Sequence, residues 1–315
     1  MAILKLAPAC KDYIWGGTKL KDEFGKKFDG DKLAETWELS CHPDGPCTIL
    51  NKDKYGLTLQ EYIEIQGKEI LGTNCERFEQ FPILIKLIDA KDNLSIQVHP
   101  DNTYALEHEK QYGKTEMWYV VDCKEGASLY YGFASKVTKE EFKMRIENNT
   151  LLEVLNRVLV KKGDVFFIEP GTIHAIGSGI LIAEIQQNSN VTYRVYDYGR
   201  IGNDKKPREL HIDKALAVTN MTPRTQAYDF GTHIGMCDYF ITDKIELQKE
   251  ETFDVSNESF CSLLITEGSL SIYSGTEQVD AKKGDSILLT AGSGSCTLRG
   301  TADVIKTTIG GIHNV

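Results

Sequence analysis

One stretch of this chain is written twice. The segment VKKGDVFFIEPGTIHAIG at 160–177 returns as AKKGDSILLTAGSGSCTL at 281–298, with no insertion or deletion between the copies. Upstream, CKEGASLYYG at 123–132 is echoed by ITEGSLSIYSG at 265–275, and the first copy carries the longer connection between its two halves. Each block reads as strand, glycine-marked turn, strand, because short runs of Val, Ile, Leu, Phe and Tyr are separated by turn residues. A unit this short cannot bury its apolar face alone, so two copies call for two related β units. KKGD by itself is also a common strand-turn-strand sequence. The second matched pair, in the same order, favours duplication.

The rest of the chain has the same texture. Apolar runs such as ILIKLI, MWYVV, DVFFI, ILIAEIQ and SLLIT alternate with turn signals, and glycine occurs 27 times. An all-β fold with helical insertions is expected. Three segments have helical spacing instead: 58–72, 101–110 and 138–156. The first and third open on a threonine followed three residues later by an acid, Thr58 with Glu61 and Thr138 with Glu141, the pattern of a capping box. The third fills the longer connection of the first copy. The expected division is 1–232, carrying the first copy, and 233–315, carrying the second.

Charge and composition narrow the function. The formal net charge of -10, with no Lys/Arg cluster, argues against nucleic acid. It leaves room for a phosphorylated small molecule, which needs only two or three cations in a pocket. No run reaches the roughly 18 apolar residues of a membrane span, and the opening MAILKLAPACKDYIWGG is soon interrupted by Lys11 and Asp12, so a cytoplasmic location is expected. The eight cysteines never form a CxxC pair and read as free thiols, not metal ligands.

The two copies differ where chemistry would need them to. His174 in the first is replaced by Ser295 in the second, so a metal site is expected in the first alone. In LSIQVHP, Gln97 and His99 flank Val98, and alternate residues of a strand project from one face. In TEMWYVV, Lys114, Glu116 and Trp118 share a parity. Two imidazoles, a carboxylate and a neutral oxygen suit zinc, with iron and manganese as chemical alternatives. The candidate ligands are therefore Gln97, His99, Glu116 and His174. His108, His211, His233 and His313 lack such a context and read as structural.

These segments, together with YIWGG (13–17), AETWELSCHPDG (34–45), FPILIKLIDAKDNLSIQVHPDN (81–102), GKTEMWYV (113–120), IEPGTIHAIG (168–177) and EIQQNSNVTYRVYDYGR (184–200), resemble the short bacterial form of type I mannose-6-phosphate isomerase, a zinc enzyme of the cupin superfamily. The resemblance runs through about the first two thirds of the chain. It implies two cupin, jelly-roll-like β-barrels, the second a degenerate copy without metal. It implies one zinc ion per chain on Gln97, His99, Glu116 and His174, with Arg194 as the active-site arginine and Lys114 in the pocket. A tyrosine, asparagine, histidine, lysine and proline motif of the long eukaryotic form has no counterpart, since KLIDAKDNLS stands there instead.

The implied reaction moves a proton between the first two carbons of a sugar phosphate through an enediol, interconverting mannose 6-phosphate and fructose 6-phosphate. The difficulty is negative charge on oxygen, which a metal and a guanidinium can hold. Thr192, Arg194 and Tyr196 share strand parity, so the arginine can face the interior; the plain alternative is a surface ion pair with Asp197. Zinc-bound hydroxide, Lys114 and His42 are candidate proton carriers. Ser95, Lys86, Arg200, Lys205, Lys206 and Arg208 are candidate phosphate anchors, although Lys205 and Lys206 read as a solvated loop. Two other functions compete: a cupin metal-dependent dioxygenase and a non-catalytic sugar-phosphate-binding cupin.

Overall fold

The computed structural model describes residues 2–202, 205–225 and 227–311. The fold is mostly β, with every strand pair antiparallel and the helices set between strands. It stacks in three layers. The middle one is a six-stranded sheet in the order Val165–Ile168, Glu116–Cys123, Ile180–Gln187, Ile83–Ala90, Glu35–Leu39, Ala9–Lys11. Its central strand Ile83–Ala90 is buried on both faces, which is why it reads as a continuous apolar run. Ile83, Ile85 and Leu87 face one core, and Ile88 and Ala90 face another.

On the first face lies the largest sheet, built mainly from the C-terminal part of the chain. Leu264, Leu288 and Ile305 from it share one core with Met117, Tyr119 and Ile185 of the middle sheet. Its two longest strands, Cys261–Ser274 and Gly294–Thr308, bend where the register slips between Ile265 and Glu267. Gly268 stands there at φ +74°, and a Cβ on it would come within 2.1 Å of the Thr301 carbonyl, so only glycine fits the bend. The folded sheet closes over an interior of hydrocarbon: Leu263, Ile272, Ile287, Leu298 and Val304. The chain also sends two N-terminal strands there. Ile3–Ala7 pairs with Ser286–Leu289 on one side and with Thr48–Ile49 on the other, across the division expected at residue 233.

On the second face lies a five-stranded sheet in the order Tyr193–Tyr196, Ile96–Val98, His174–Ala175, Ser128–Phe133, Leu155–Leu159. Its outer side is covered by the helices Lys139–Glu147 and Ile212–Val218, through Phe142, Ile146 and Ala215. The Thr58 capping box is complete, with Thr58 Oγ1 accepting from the Glu61 N–H and Glu61 accepting from the Thr58 N–H. At Thr138 the hydroxyl accepts from the Glu141 N–H. The expected helix over 138–156 stops at Glu147, because a turn at Asn149, φ +56°, ends it and Leu155 already opens a strand. The segment 101–110 forms Asn102–His108, capped by Asp101.

The repeat is visible in the backbone. Lys161 N–H donates to Asp164 Oδ2 at 2.9 Å, and Lys282 N–H to Asp285 Oδ2 at 2.9 Å. Gly163 and Gly284 sit at φ +91° and +90°, and the strands that follow, Val165–Ile168 and Ser286–Leu289, begin and end at matching positions of the two copies.

Candidate active site

The five- and six-stranded sheets face each other across a cavity of about 600 Å³, and its walls are two rows of cross-strand neighbours. On the six-stranded sheet, Trp37 pairs with Lys86, Lys86 with Glu184, and Glu184 with Trp118. On the five-stranded sheet, Arg194 pairs with Gln97 and Gln97 with His174. Cross-strand partners project from the same face, so each row arrives as a unit. Gln97, Lys114, Glu184 and Arg194 line the cavity; His99, Glu116 and His174, almost wholly buried, lie behind Gln97 and Lys114.

These three form a compact cluster, in which one ligand atom from each of His99, Glu116 and His174 lies within 4.8 Å of the others. Glu116, the first residue of its strand, reaches across the gap between sheets: its Oε2 is 3.5 Å from His99 Nε2 and its Oε1 is 3.3 Å from His174 Nε2. Both rings are held in one tautomer. His99 Nδ1 contacts the Val191 carbonyl and His174 Nδ1 the Thr172 carbonyl, each at 2.8 Å. A carbonyl only accepts, so Nδ1 carries the proton and each Nε2 presents a lone pair toward Glu116. Gln97 stands beside them, its amide 3.4 Å from His174 Nε2. Turning that amide over offers its oxygen instead.

The electrostatics suit a cation. Neither oxygen of Glu116 receives a well-formed hydrogen bond, although Lys114 Nζ lies 2.9 Å from Oε2. An unsatisfied buried carboxylate is costly, and burial together with the nearby Glu184 raises the Glu116 pKa. Burial keeps His174 neutral, its pKa down to about 4; burial and the Lys114 charge depress His99 likewise. Two neutral imidazoles and a buried carboxylate fit a divalent metal. Gln97, His99, Glu116 and His174 can hold it, with the fourth donor an amide oxygen.

Beside the cluster runs a chain of buried charges. Lys114 Nζ is 3.9 Å from Glu184 Oε1; Lys86 Nζ is 3.1 Å from the same oxygen and 3.8 Å from Glu35 Oε2. Trp118 and Trp37 donate their indole N–H groups to Glu184 and Glu35 at 2.9 and 2.8 Å. Burial alone would raise the Glu184 pKa, but Lys86, Lys114 and the two hydrogen bonds outweigh it and hold the carboxyl low. From sequence Lys86 is only a candidate phosphate anchor, and Glu184 and Glu35 are not among the candidates. The available signal was a charge in the middle of an apolar strand run, ILIKLI and ILIAEIQ.

Arg194 faces the cavity, its Nε 3.3 Å from Ser95 Oγ and its Nη1 donating to the Glu209 carbonyl at 3.0 Å. It is not the partner of Asp197. That carboxylate takes Arg208 in a two-pronged contact at 2.8 and 2.5 Å and Arg200 as well. A register shift after Arg194 carries Tyr196 off the shared face, where it packs against Tyr198. Ser95, Lys86 and Arg208 line the cavity, whereas Lys205 and Lys206 are exposed on their loop. His42 packs edge-on against Trp37 and is off the cavity wall. His211 accepts from the Arg194 N–H at 3.2 Å, and His233 meets Asp243. His108 stacks on Tyr104, and His313 lies outside the described residues. All eight cysteines are free, and no helix among the described residues is long and apolar enough to cross a membrane.

Two sheets closing over a buried His–Glu–His cluster define a mostly β protein with a candidate metal centre. Residues 3–126 match the family profile described as phosphomannose isomerase type I, catalytic domain, and residues 230–309 that described as mannose-6-phosphate isomerase, cupin domain. The mannose-6-phosphate isomerase ManA of Bacillus subtilis (strain 168) is 37% identical over 308 residues, covering 95% of this chain and 96% of that protein. That of Streptococcus mutans is 36% identical over 290 residues, 88% of each. The crystal structure of the mannose 6-phosphate isomerase from Bacillus subtilis superimposes with a TM-score of 0.91 at 36% identity, covering 98% of this chain and 99% of that one. The chain belongs to the mannose-6-phosphate isomerase family.

Proposed function

We propose that the protein interconverts mannose 6-phosphate and fructose 6-phosphate through an enediol, using one zinc ion per chain held by Gln97, His99, Glu116 and His174. The observation that carries this reading is that Gln97 and Lys114, which contact the buried His–Glu–His cluster, line the same cavity of about 600 Å³ as the Arg194 guanidinium. Two imidazoles with oxygen donors suit zinc over the softer, thiolate-seeking ions. When bound, such an ion supplies a Lewis acid for the sugar's reacting oxygens.

The chain's own residues supply the rest. Arg194 offers a rigid fork of donors to charge developing on oxygen or to the phosphate. Lys114, between Glu116 and Glu184, places a positive charge beside the reacting oxygens. Ser95, Arg194 and Arg208 line one wall of the cavity, where the two guanidiniums and the Ser95 hydroxyl offer donors to a phosphate dianion. The catalytic unit is 1–232; 233–315 forms a second, metal-free cupin-like barrel completed by Ile3–Ala7.

The test is a coupled assay for fructose 6-phosphate formed from mannose 6-phosphate by zinc-loaded protein, with metal content measured on the same sample. Turnover with one zinc per chain is expected. Zinc binding without turnover would favour the sugar-phosphate-binding reading, and oxygen uptake by iron- or manganese-loaded protein the dioxygenase.

A further inference from the structure

Between the strand Ile180–Gln187 and Tyr193–Tyr196 the chain turns from one sheet to the other, and it contacts the candidate ligand His99 and the residue beside Glu116. On one side Gln187 N–H donates to the Thr115 carbonyl at 3.1 Å and its Oε1 accepts from the Thr115 N–H at 2.8 Å, fixing the residue next to Glu116. On the other side the Val191 carbonyl holds His99 Nδ1. Gln186 sits at the centre. Its side chain is wholly buried, and its Nε2 donates to the carbonyls of Gln187 at 2.8 Å and Ser189 at 2.6 Å. Two carbonyls around one nitrogen settle which end of the amide is which. Its Oε1 is left with no partner, at a position whose cross-strand neighbour is Glu116. A buried amide that satisfies its donors on one turn and leaves its acceptor unsatisfied carries a cost that packing alone does not repay.

We infer that Gln186 is a positioning residue for the metal centre: by tying the Gln187 and Ser189 carbonyls it fixes the turn that sets the His99 tautomer and the spacing of His99 from Glu116. This rests on the reading that those two residues hold a metal. Partners of this kind behind a ligand change metal affinity by about ten- to a hundred-fold when removed, without touching the ion themselves. The Ser189 hydroxyl accepts from the Val191 N–H at 3.2 Å, so it braces the same turn from the far end.

The experiment uses full-length protein loaded with Co²⁺, whose visible absorption reports ligand geometry, and a chelator competition for metal affinity. Gln186→Met keeps the side chain's length and removes both donors. The expected result is a shifted Co²⁺ spectrum and a metal dissociation constant weakened by about ten- to a hundred-fold, with a cooperative thermal transition retained. Wild-type affinity and spectrum in a folded Gln186→Met protein would overturn the inference, since a residue that only packs lowers the transition temperature and leaves the spectrum alone. Should Gln186→Met not fold, Ser189→Ala decides: a shifted spectrum supports the inference, an unchanged one overturns it. Failure of the underlying reading looks different, because the wild-type protein would then bind no Co²⁺ at all.

Discussion

The two copies of the repeat share a turn and differ in what they enclose. In both, a lysine N–H donates to the aspartate three residues on at 2.9 Å, and a glycine sits near φ +90° before an apolar strand. Beyond that strand the first copy places His174, wholly buried, between Gln97 and Glu116; the second places Ser295 at the surface. The first interior is a polar cavity with buried charges, the second is filled by side chains such as Leu263, Ile272 and Leu298. The turn is therefore scaffold, and chemistry resides in the few positions where the copies part.

The largest expected effect comes from erasing that difference. Substituting the second copy's residue into the first, His174→Ser, removes a proposed metal ligand; metal content should fall and turnover drop by at least about a thousand-fold, equivalent to several kcal/mol of lost stabilisation. Retention of metal and activity would show that the comparison marks the wrong residue. Arg194→Ala should lower kcat by about a hundred- to a thousand-fold with metal content intact. Metal loss in that variant would instead make the arginine part of the scaffold.

The second copy should answer to stability alone. Leu298→Ala, at a fully buried site, is expected to cost about 2–5 kcal/mol in denaturant unfolding while activity per folded molecule stays level. A fall in kcat at full folding would mean that the second interior shapes the active site. The shared turn allows a finer comparison: Asp164→Ala should cost about 1–2 kcal/mol. Asp285→Ala should cost more, because Asp285 also pairs with Lys5 Nζ at 2.7 Å. Equal losses would remove that pair from the account. The smallest effect is expected from Ser295→His, which supplies an imidazole with no partners; metal per chain, measured by mass spectrometry, should not change.

The cluster His99, Glu116 and His174 was legible because strand alternation is strict and the mismatch of the copies singled out His174. Arg194 was legible by parity as far as itself, but the register shift beyond it moved Tyr196 off the face, and nothing local in TYRVYDYGR announces a bulge. Glu184, Lys86 and Glu35 come from three strands far apart in sequence, and only their register makes them neighbours. The short helices Lys19–Asp22 and Ile212–Val218 lack a side-chain cap, so the signal that marked Leu59–Gln66 was missing. Gln186 is not legible in the sequence for a related reason: its partners are backbone carbonyls, which no residue pattern displays.

The strand Ile3–Ala7 has a consequence for how the protein comes to be made. On one side it pairs with Ser286–Leu289, and Ala2 N–H meets Thr290 Oγ1 across 288 positions of sequence. Contacts so distant carry a heavy loop-closure entropy and are slow to form. During synthesis this segment leaves the ribosome long before Ser286–Leu289 exists, and that edge must wait unpaired. The edge that faces Ser286–Leu289 stays open while the span between the two strands is made, an interval of exposure to aggregation or a chaperone.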